Sequence, residues 1–519
     1  MPNGTDATER RFSWASLLVF AVVTAFLCSR HEPWHDELQA WRIAIDSGSI
    51  RELLANLRYE GHPPLFHAVL RVLGLVSPSW TAAVVLHWLI ACGSAWLVLR
   101  HAPFSRMHRA LIVAGYFMAF EYAVIVRPYG PGLFCALAAC AAWCAPVRRG
   151  RVAAAFLVLM ANTSALGAMV AVSIGVALLI DATVHGGSTW WSVSRNRRRA
   201  AIASAFALTT LVTVALLVLP PSDADFRGGI GTPFTERLWM IGLAMSAPAR
   251  VFAPLAGSFP DGTVAWSTWL FEPAVRADVI VTNLAAMLVV VAGCVITSRR
   301  LASFVLWVAA CAGLLAFFGL IYLGSMRHHG HLFIALLAAS WLAFAPRRTE
   351  MPDPLGRRTV RLQPWRERLL TVLLVPMVAG TVQVGVAEIR SPFSDAQSAA
   401  TYIARSPQRS LPIVGMSYTW SQPVAALLGR PVHFPSEARV STFLARTNVV
   451  EGALLGARTD SVVQSLLREH CGVLLLTGKT DTAFIDMRSA RRLRSAPQTP
   501  LSDNPIDVWL IGARRCASR

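Results

Sequence analysis

Residues 10–28 read RRFSWASLLVFAVVTAFLC, and this stretch decides the fold class. No side chain between Ser13 and Cys28 carries a charge, and Arg10 and Arg11 stand directly before the apolar run. Such a run is typical of a membrane-crossing helix whose arginine end stays in the cytoplasm. No stretch of small residues suited to signal-peptide cleavage follows it, so we expect it to remain as the first helix.

The composition of the whole chain also indicates a membrane protein. Hydrophobic residues make up 55% of the 519 residues, charged residues only 15%, and the mean hydropathy is +0.50. A soluble domain carries roughly 25% charged residues. The formal net charge of +19 is carried by arginines that stand in short clusters between apolar runs. That pattern reflects membrane topology and argues against nucleic-acid binding.

Eleven apolar runs are predicted to span the membrane, at 13–28, 79–99, 109–126, 130–146, 152–166, 167–184, 200–219, 276–298, 301–323, 331–345 and 369–387. The arginine clusters fall in alternate loops, so a cytoplasmic N-terminus places all of them in the cytoplasm. An odd number of spans leaves the C-terminus outside. We therefore expect an α-helical polytopic protein of the bacterial inner (plasma) membrane, with its chemistry on the extracytoplasmic side.

The first outside loop, residues 29–78, is predicted to contain helices. Apolar residues recur at helical spacing from Asp36 to Ser47, and Ile50 to Leu57 and Pro64 to Leu75 continue the pattern. Each stretch is too short to cross a bilayer, so we expect interfacial helices that lie on the outer leaflet. Trp34 and Trp41 are suited to the headgroup level there.

The tail has a different character, because short helical and strand patterns alternate along it. We predict a small extracytoplasmic α/β domain over residues 391–519, after a membrane domain over residues 1–390. Cys471 and Cys516 lie in this tail. An extracytoplasmic compartment would allow them to form a disulfide, although their spacing alone does not decide the pairing.

The sharpest chemical feature is His35-Asp36-Glu37, a few residues beyond the first predicted span. Adjacent carboxylates at a membrane surface are suited to take a proton from an acceptor hydroxyl, or to bind a divalent cation such as Mg²⁺ or Mn²⁺. The simpler structural interpretation is that Asp36 and Glu37 stabilise the N-terminus of the helix that follows. The residues alone leave both interpretations open.

Two further acids accompany residues that suit a binding site. Glu60 and His62 flank Gly61 in a tight turn before Pro63-Pro64, and a capped surface turn is the alternative explanation. Glu121 stands about one turn inside the apolar run 109–126. An acid in that position is costly unless it is paired or functional.

Basic residues stand at the predicted outside ends of two spans. Arg127-Pro128-Tyr129 follows one, and Arg327-His328-His329-Gly330-His331 follows another. Arginine with histidine can hold a phosphate dianion. Three histidines in four residues also suggest a metal site, but no carboxylate or cysteine completes a known ligand spacing. Interfacial snorkelling would explain the arginines equally well.

The order of these motifs resembles the GT-C glycosyltransferases, in particular glycosyltransferase family 39, with its protein mannosyltransferase and aminoarabinose transferase relatives. The matching segments, all within residues 1–390, are Asp36-Glu37, Gly61-His62-Pro63-Pro64-Leu65, Arg127-Pro128-Tyr129 and Arg327 with its histidines. The resemblance implies a GT-C-like membrane domain. It also implies transfer of a sugar, with inversion, from a polyprenyl-phosphate-linked donor to a glycan, lipid or protein acceptor.

The resemblance further implies roles for the residues. Asp36 would be the general base, and Glu37, with Glu60, would position the acceptor or a metal. The departing phosphate would be stabilised by arginine and histidine. The implied substrate contacts are Glu60, His62, Glu121, Arg127, Tyr129, Arg327, His328 and His331. The resemblance implies that no cofactor is required, and it leaves open whether a divalent Mg or Mn ion takes part.

Two other classes of protein compete with this hypothesis. A transporter or flippase for a lipid-linked glycan should place ionisable residues near the bilayer midplane and show inverted repeats. Here the acids cluster toward one face and no repeat is evident, which favours the enzyme. A membrane scaffold that presents the C-terminal domain would leave Asp36-Glu37 unexplained.

Overall fold

The computed structural model describes residues 3–145, 147, 149–185, 208, 221–224, 233–255, 276–346, 353–416, 418–478, 490–495 and 506–512. Nearly all of the predicted span 200–219, most of the loop 220–275 and Cys516 lie outside these residues. The described helices, numbered in chain order, are α1 (Asn3–Arg30), α2 (His35–Asp46), α3 (Ile50–Leu57), α4 (Leu65–Val76), α5 (Trp80–His101), α6 (Arg106–Ala114), α7 (Tyr129–Cys144), α8 (Gly150–Ala161), α9 (Ala165–His185), α10 (Phe234–Met245), α11 (Ala247–Phe252), α12 (Arg276–Thr297), α13 (Leu301–Leu320), α14 (Met326–His329), α15 (His331–Phe344), α16 (Pro354–Arg358), α17 (Gln363–Arg390), α18 (Ala396–Arg405), α19 (Tyr418–Leu428) and α20 (Gly452–Glu469).

Six of these helices are long and apolar enough to cross a membrane, namely α1, α5, α9, α12, α13 and the helix that ends at Arg390. Large apolar side chains on their outer faces are exposed, such as Leu18 at 65%, Leu288 at 67% and Val372 at 63%. In water such faces would be covered, whereas in a bilayer they contact lipid. The chain is therefore a multi-pass membrane protein.

The predicted count of eleven spans is not confirmed. Three predicted spans form helices of 12 to 16 residues, namely α7, α8 and α15. The run 109–126 breaks after the nine residues of α6 and continues as a π-helix over Phe117–Glu121. Every residue of α15 from His331 to Ala343 is buried, so this helix packs inside the bundle and the longer helices surround it.

Several loops that carry arginine clusters meet at one end of the bundle. The contacts that join them are Glu9 with Arg106 and with Arg109 at 2.8 Å each, His108 with Thr371 at 2.9 Å, Arg366 with Ser298 at 3.3 Å and Arg300 with Asp181 at 3.6 Å. This arrangement agrees with the prediction that the clusters share one side of the membrane. Which side is cytoplasmic stays a prediction.

The three short helices predicted in the first outside loop are present as α2, α3 and α4. Ser49 begins α3 by accepting a hydrogen bond from the Glu52 backbone N–H at 3.1 Å. The structure differs from the expectation that α2 lies on the outer leaflet. Trp41 of α2 packs with Phe66 of α4, while Ile43 on the opposite face packs with Phe443 from the tail. Thus α2 is enclosed between the membrane helices and the tail.

The tail forms a six-stranded sheet flanked by α18, α19 and α20, in the strand order β3-β2-β1-β4-β6-β5. Strand β1 pairs in parallel with β2 and β4, and the remaining pairs are antiparallel. The strands are β1 (Ile413–Gly415), β2 (Val432–Phe434), β3 (Arg439–Ser441), β4 (Gly472–Thr477), β5 (Ala490–Arg494) and β6 (Asp507–Gly512).

The sequence predicted some of these elements and missed others. The tail sequence predicts strands over 412–416, 472–476 and 508–511 and a helix that begins after Ser394, and these match β1, β4, β6 and α18. The Ser394 hydroxyl accepts a hydrogen bond from the Ala396 N–H at 3.2 Å. The sequence analysis missed β2 and β3, which have three residues each and little apolar alternation, and the arginine-rich β5. Cys471 is in a disulfide.

One close helix approach gives a test of the packing. A Cβ added at Gly293 of α12 would overlap the indole of Trp307, which is fully buried and donates to the Val290 carbonyl at 3.0 Å. We expect Gly293→Ala to destabilise the protein by roughly 1–3 kcal/mol through overpacking. Thermal unfolding of the purified protein in detergent would show a lower midpoint.

The matched control for this prediction is Gly175→Ala in α9. A Cβ at Gly175 would lie 3.8 Å from Leu157, an ordinary contact, and alanine favours helix over glycine. We expect the midpoint to stay the same or to rise. Equal midpoints for the two variants would contradict the packing of α12 against α13.

Candidate active site

Asp36 lies in the first turn of α2 between two arginines from distant parts of the chain. Its Oδ2 is 2.7 Å from Nη2 of Arg327 and 3.7 Å from Nη2 of Arg127. The side chains of Asp36 and Arg327 are 13% exposed, and that of Arg127 is 8% exposed. One carboxylate, shielded from most of the solvent, therefore faces two guanidiniums.

The arginines control the ionisation of Asp36. Burial alone would raise the pKa of the Asp36 carboxyl, but Arg327 and Arg127 hold that pKa well below its usual range, with a smaller contribution from Arg446. Asp36 is thus an anion in this arrangement. While both arginines contact it, it is a weak base.

Each arginine is held in place by a neighbouring segment. Arg127 follows the irregular chain after the π-helix, and its guanidinium also donates to the Asp36 carbonyl. Arg327 lies in α14, where its carbonyl accepts a hydrogen bond from the Tyr122 hydroxyl at 2.8 Å, and its guanidinium stacks over the Trp34 ring at 4.9 Å. Both positive charges are therefore fixed before any ligand binds.

The turn that carries Glu60 and His62 forms a second side of the site. Nδ1 of His62 lies 2.6 Å from the Glu60 carbonyl, so it carries the proton, and Nε2 can then accept from the Tyr129 hydroxyl at 3.5 Å. Burial and the nearby Arg127 lower the pKa of His62 to about 4. A neutral His62 thus links Glu60 to Tyr129.

His328 and His331 pack their rings against Tyr129, at centroid distances of 5.5 and 5.4 Å. The Ser325 N–H donates to Nδ1 of His328 at 3.0 Å, so this nitrogen carries no proton. Nδ1 of His331 instead donates to the His328 carbonyl at 2.9 Å. Burial, followed by the charge of Arg327, lowers the pKa of His328 well below its ordinary value. Both imidazoles are therefore neutral and form part of the wall of the site.

An apolar cavity lies next to the segment that carries Arg127. It has a volume of about 270 Å³ between α4, α5, α7 and α8, and its walls are almost entirely apolar. Val126, directly before Arg127, and Pro131, shortly after Tyr129, both line it. The cavity is suited to hold part of a hydrophobic chain.

The described residues do not present a metal centre. Among them, no three His, Cys, Asp or Glu side chains group as a set of metal ligands. The carboxylate of Asp36 is paired with arginines, and both nitrogens of His62 and of His331 contact protein groups. The donor set does not fit a divalent cation, so we derive no metal-dependent step.

Comparison with solved structures identifies the architecture. The crystal structure of ArnT from Cupriavidus metallidurans in the apo state matches with a TM-score of 0.53 and 14% sequence identity, over 98% of this chain and 99% of that chain. The chain has an ArnT-like fold. No family model matches the sequence, and no match appears among curated proteins.

Within the ArnT-like fold, Glu37 points away from Asp36 and is completely buried. Its carboxylate accepts from the Val126 N–H at 2.7 Å, from the Trp34 N–H at 3.2 Å, and contacts Nε2 of His31 at 2.9 Å. Adjacent residues on a helix lie about 100° apart, so the pair Asp36-Glu37 faces two environments. Glu37 ties α2 to the segment that carries Arg127.

Glu121 ends the π-helix of the ArnT-like fold and is also buried. It accepts a hydrogen bond from the Tyr116 hydroxyl at 2.6 Å. The next residue, Tyr122, holds the Arg327 carbonyl. The structure thus connects this segment to the site through Tyr122, the neighbour of Glu121 in the sequence.

Other residues that the sequence analysis did not select also contact the site. The guanidinium of Arg446 lies 3.2 Å from Nε2 of His35 and 3.4 Å from the Glu60 carboxylate. Gln422 accepts from His35 at 3.1 Å. Both belong to the tail, almost 400 positions from α2. No local pattern marks them, because their contacts exist only after folding.

The buried His31 offers a test by pH. Burial would lower the pKa of His31, but Glu37 at 2.9 Å and Glu388 at 3.2 Å raise it to about 10. An unfolded histidine titrates near 6.5. The stabilisation is thus fully present below about pH 6.5 and is lost as pH rises through about 10, with a slope of about 1.4 kcal/mol per pH unit at most.

We expect the thermal midpoint of the wild-type protein to fall between pH 7 and pH 10 more steeply than that of His31→Gln. Glutamine can keep one hydrogen bond to a carboxylate but has no proton to lose. The difference between the two curves isolates His31 from other titrating groups. Parallel curves would show that His31 is not a charged partner of Glu37 and Glu388.

Proposed function

We propose that this protein is a membrane glycosyltransferase of the GT-C type, with a polyprenyl-phosphate-linked sugar as donor. The observation that supports this most is one carboxylate held between two arginines, in a fold that also contains an apolar cavity. The ArnT-like fold, together with the resemblance of the sequence motifs to the GT-C glycosyltransferases, also supports the proposal. A pair of arginines and an apolar cavity suit a ligand with an anionic head and a hydrophobic tail.

The proposed reaction is a single displacement at the anomeric carbon. Asp36 takes the proton of the acceptor hydroxyl, and the acceptor oxygen forms its bond to the sugar from the face opposite the phosphate. The bond between the anomeric carbon and the phosphate oxygen breaks, and its electron pair stays on the polyprenyl phosphate. Arg127 and Arg327 stabilise this negative charge, and the configuration at the sugar is inverted.

The ion pairs of Asp36 suggest how the base becomes active. A lipid phosphate that binds Arg127 and Arg327 competes with the Asp36 carboxylate for the same guanidiniums. Once the arginines pair with phosphate, the pKa of Asp36 is free to rise toward its ordinary value. Donor binding would then both place the sugar and release the base, so we propose that the donor binds first.

The remaining residues serve binding and support. Glu60, His62, Tyr129, His328 and His331 would contact the sugar or the acceptor, and the apolar cavity would hold the start of the polyprenyl chain. Glu37 would act by positioning Asp36 and Arg127, and Glu121 by supporting the segment with Tyr122. The acceptor would be a glycan, lipid or protein.

The arginine clusters support an orientation in the inner membrane with a cytoplasmic N-terminus. The site and the C-terminal domain would then lie on the extracytoplasmic side, where a lipid-linked donor presents its sugar without need of a nucleotide sugar. This orientation and the eleven spans remain part of the proposal.

Asp36→Asn tests both the role of Asp36 as the base and its competition with the lipid phosphate for Arg127 and Arg327. We expect transfer from a radiolabelled polyprenyl-phosphate sugar to fall on the order of 10²–10⁴-fold, because asparagine cannot take the proton. We also expect polyprenyl phosphate itself to bind about tenfold more tightly, or about 1.4 kcal/mol, because the arginines lose their competing carboxylate. Transfer and equilibrium binding are measured on purified protein in detergent.

The control is Asp46→Asn, which removes a carboxylate from the far end of α2, where Asp46 lies 3.5 Å from Arg42. We expect this variant to transfer and bind like the wild type. Equal transfer by Asp36→Asn and wild type would exclude Asp36 as the base. Weaker lipid binding by Asp36→Asn would contradict the competition, and movement of the labelled lipid across vesicles without transfer would indicate a transporter.

A further inference from the structure

The C-terminal domain is docked directly onto the helix that carries Asp36. The Gln39 side-chain amide of α2 exchanges two hydrogen bonds with the Leu444 backbone, at 2.8 and 2.9 Å. One turn further along α2, Arg42 donates to the Ala426 carbonyl near the end of α19. These contacts join α2 to the domain, so the position of the domain and the position of α2 depend on each other.

Arg446 stands on a loop of this domain that is held in an unusual conformation. Its φ is +58°, a left-handed value that is costly for a residue other than glycine. The Glu437 carboxylate accepts from the Ala445 and Arg446 N–H groups at 2.8 and 2.7 Å. The Asn448 N–H also donates to the Asp223 carbonyl at 3.0 Å. The surrounding structure therefore imposes this conformation and fixes the direction of the arginine.

The side chain of Arg446 reaches His35, the residue directly before Asp36. Arginine can only donate, so Nε2 of His35 at 3.2 Å must be the acceptor. The proton is then on Nδ1, which donates to Oε1 of Gln422 at 3.1 Å. Nε2 of Gln422 in turn donates to the Thr442 carbonyl at 3.1 Å. Each of these three hydrogen bonds has one donor and one acceptor, so they fix both the tautomer and the orientation of His35.

Burial makes this arrangement rigid. His35 is 4% exposed and Gln422 is fully buried. Burial, together with the charge of Arg446, lowers the pKa of His35 to about 4, so the ring stays neutral near pH 7. The same guanidinium lies 3.4 Å from the Glu60 carboxylate, so Arg446 connects both acid-bearing segments of the site.

We propose that Gln422 and Arg446 are positioning residues that act through His35. They clamp the first turn of α2 from both sides of the imidazole and so set the direction of the Asp36 carboxylate. The C-terminal domain is then a working part of the active site. This inference rests on the proposed function, because positioning matters for transfer when Asp36 is the base.

The cost of losing this clamp can be estimated. A displacement of about 1 Å at a reacting group can lower a rate on the order of 10²-fold. The donor phosphate is held by Arg127 and Arg327, whose backbones belong to other segments, and Tyr122 holds the backbone of Arg327. The loss should therefore appear in kcat and leave the donor KM nearly unchanged.

Gln422→Leu is the cleanest variant, because Gln422 contacts His35 and not Glu60. We expect kcat to fall about 10- to 100-fold with the donor KM within about twofold of wild type. Arg446→Met should lower kcat similarly and also affects Glu60. Arg446→Lys keeps the charge but lacks the fork that reaches two partners, so its kcat should lie between those of wild type and Arg446→Met.

The matched control is Arg42→Met. It makes the same chemical change in another arginine that joins α2 to the domain, but Arg42 contacts Ala426 and not His35. We expect kcat within about twofold of wild type even if the thermal midpoint falls. A general loosening of the domain would lower kcat in both arginine variants alike, and that result would overturn the proposal.

A double-mutant cycle separates positioning from structural damage. His35→Asn keeps an N–H for Gln422 near the place of Nδ1 and removes the acceptor for Arg446. In this background Arg446→Met should lower kcat much less than it does in the wild type, whereas Gln422→Leu should lower kcat about as much as before. An equal loss of kcat for Arg446→Met in both backgrounds would overturn the role of His35.

Hydrogen exchange supplies a readout that does not depend on catalysis. We expect Gln422→Leu and Arg446→Met, but not Arg42→Met, to speed exchange of the amides at the start of α2, measured by mass spectrometry on the folded full-length protein. Unchanged exchange there would overturn the clamp. Faster exchange in these two variants, together with no sugar transfer by the wild type, would sink the proposed function and leave the clamp standing.

Discussion

The placement of one carboxylate between two guanidiniums is the constraint on which the rest of the structure depends. Removing charges from water is costly unless they are paired, so these three groups stabilise one another. Two guanidiniums around one carboxylate also suit a site that binds an anion in its working state. Since the partners of Asp36 come from residues 127 and 327, three distant segments must meet before the cluster exists.

A layer of buried polar contacts keeps those segments together. Glu37 joins the start of α2 to Val126, and His31 extends the connection to Glu388 on α17. Close packing is part of the same layer, because a Cβ at Gly330 would overlap the Tyr122 hydroxyl that holds the Arg327 backbone. The geometry at Asp36 therefore depends on residues that do not touch it.

The sequence predicted which charged groups meet at the site better than how they are held there. Asp36, Arg127 and Arg327 were recognisable because each stands near the end of an apolar run, where a charge is conspicuous. Glu37 was expected in the site with Asp36, because adjacency in the sequence does not show which side of a helix each residue faces. Arg446 and Gln422 carried no local signal, since their contacts with His35 exist only in the folded chain. Apolar length alone does not fix the number of spans, because α15 is buried along its length yet has only 14 residues.

The enclosure of α2 explains why the domain and the site are inseparable. An amphipathic helix at a membrane surface usually turns its polar face to water. Here that face carries Gln39 and Arg42, whose hydrogen bonds go to the C-terminal domain, while Trp41 packs toward α4. Gln39 is completely buried. Removing the domain would take away both of its hydrogen bonds to Leu444 and leave only the one to Glu60 at 2.9 Å, which is costly. The helix that presents Asp36 is thus stabilised in its place by two surfaces, and neither the membrane helices nor the domain alone provides both.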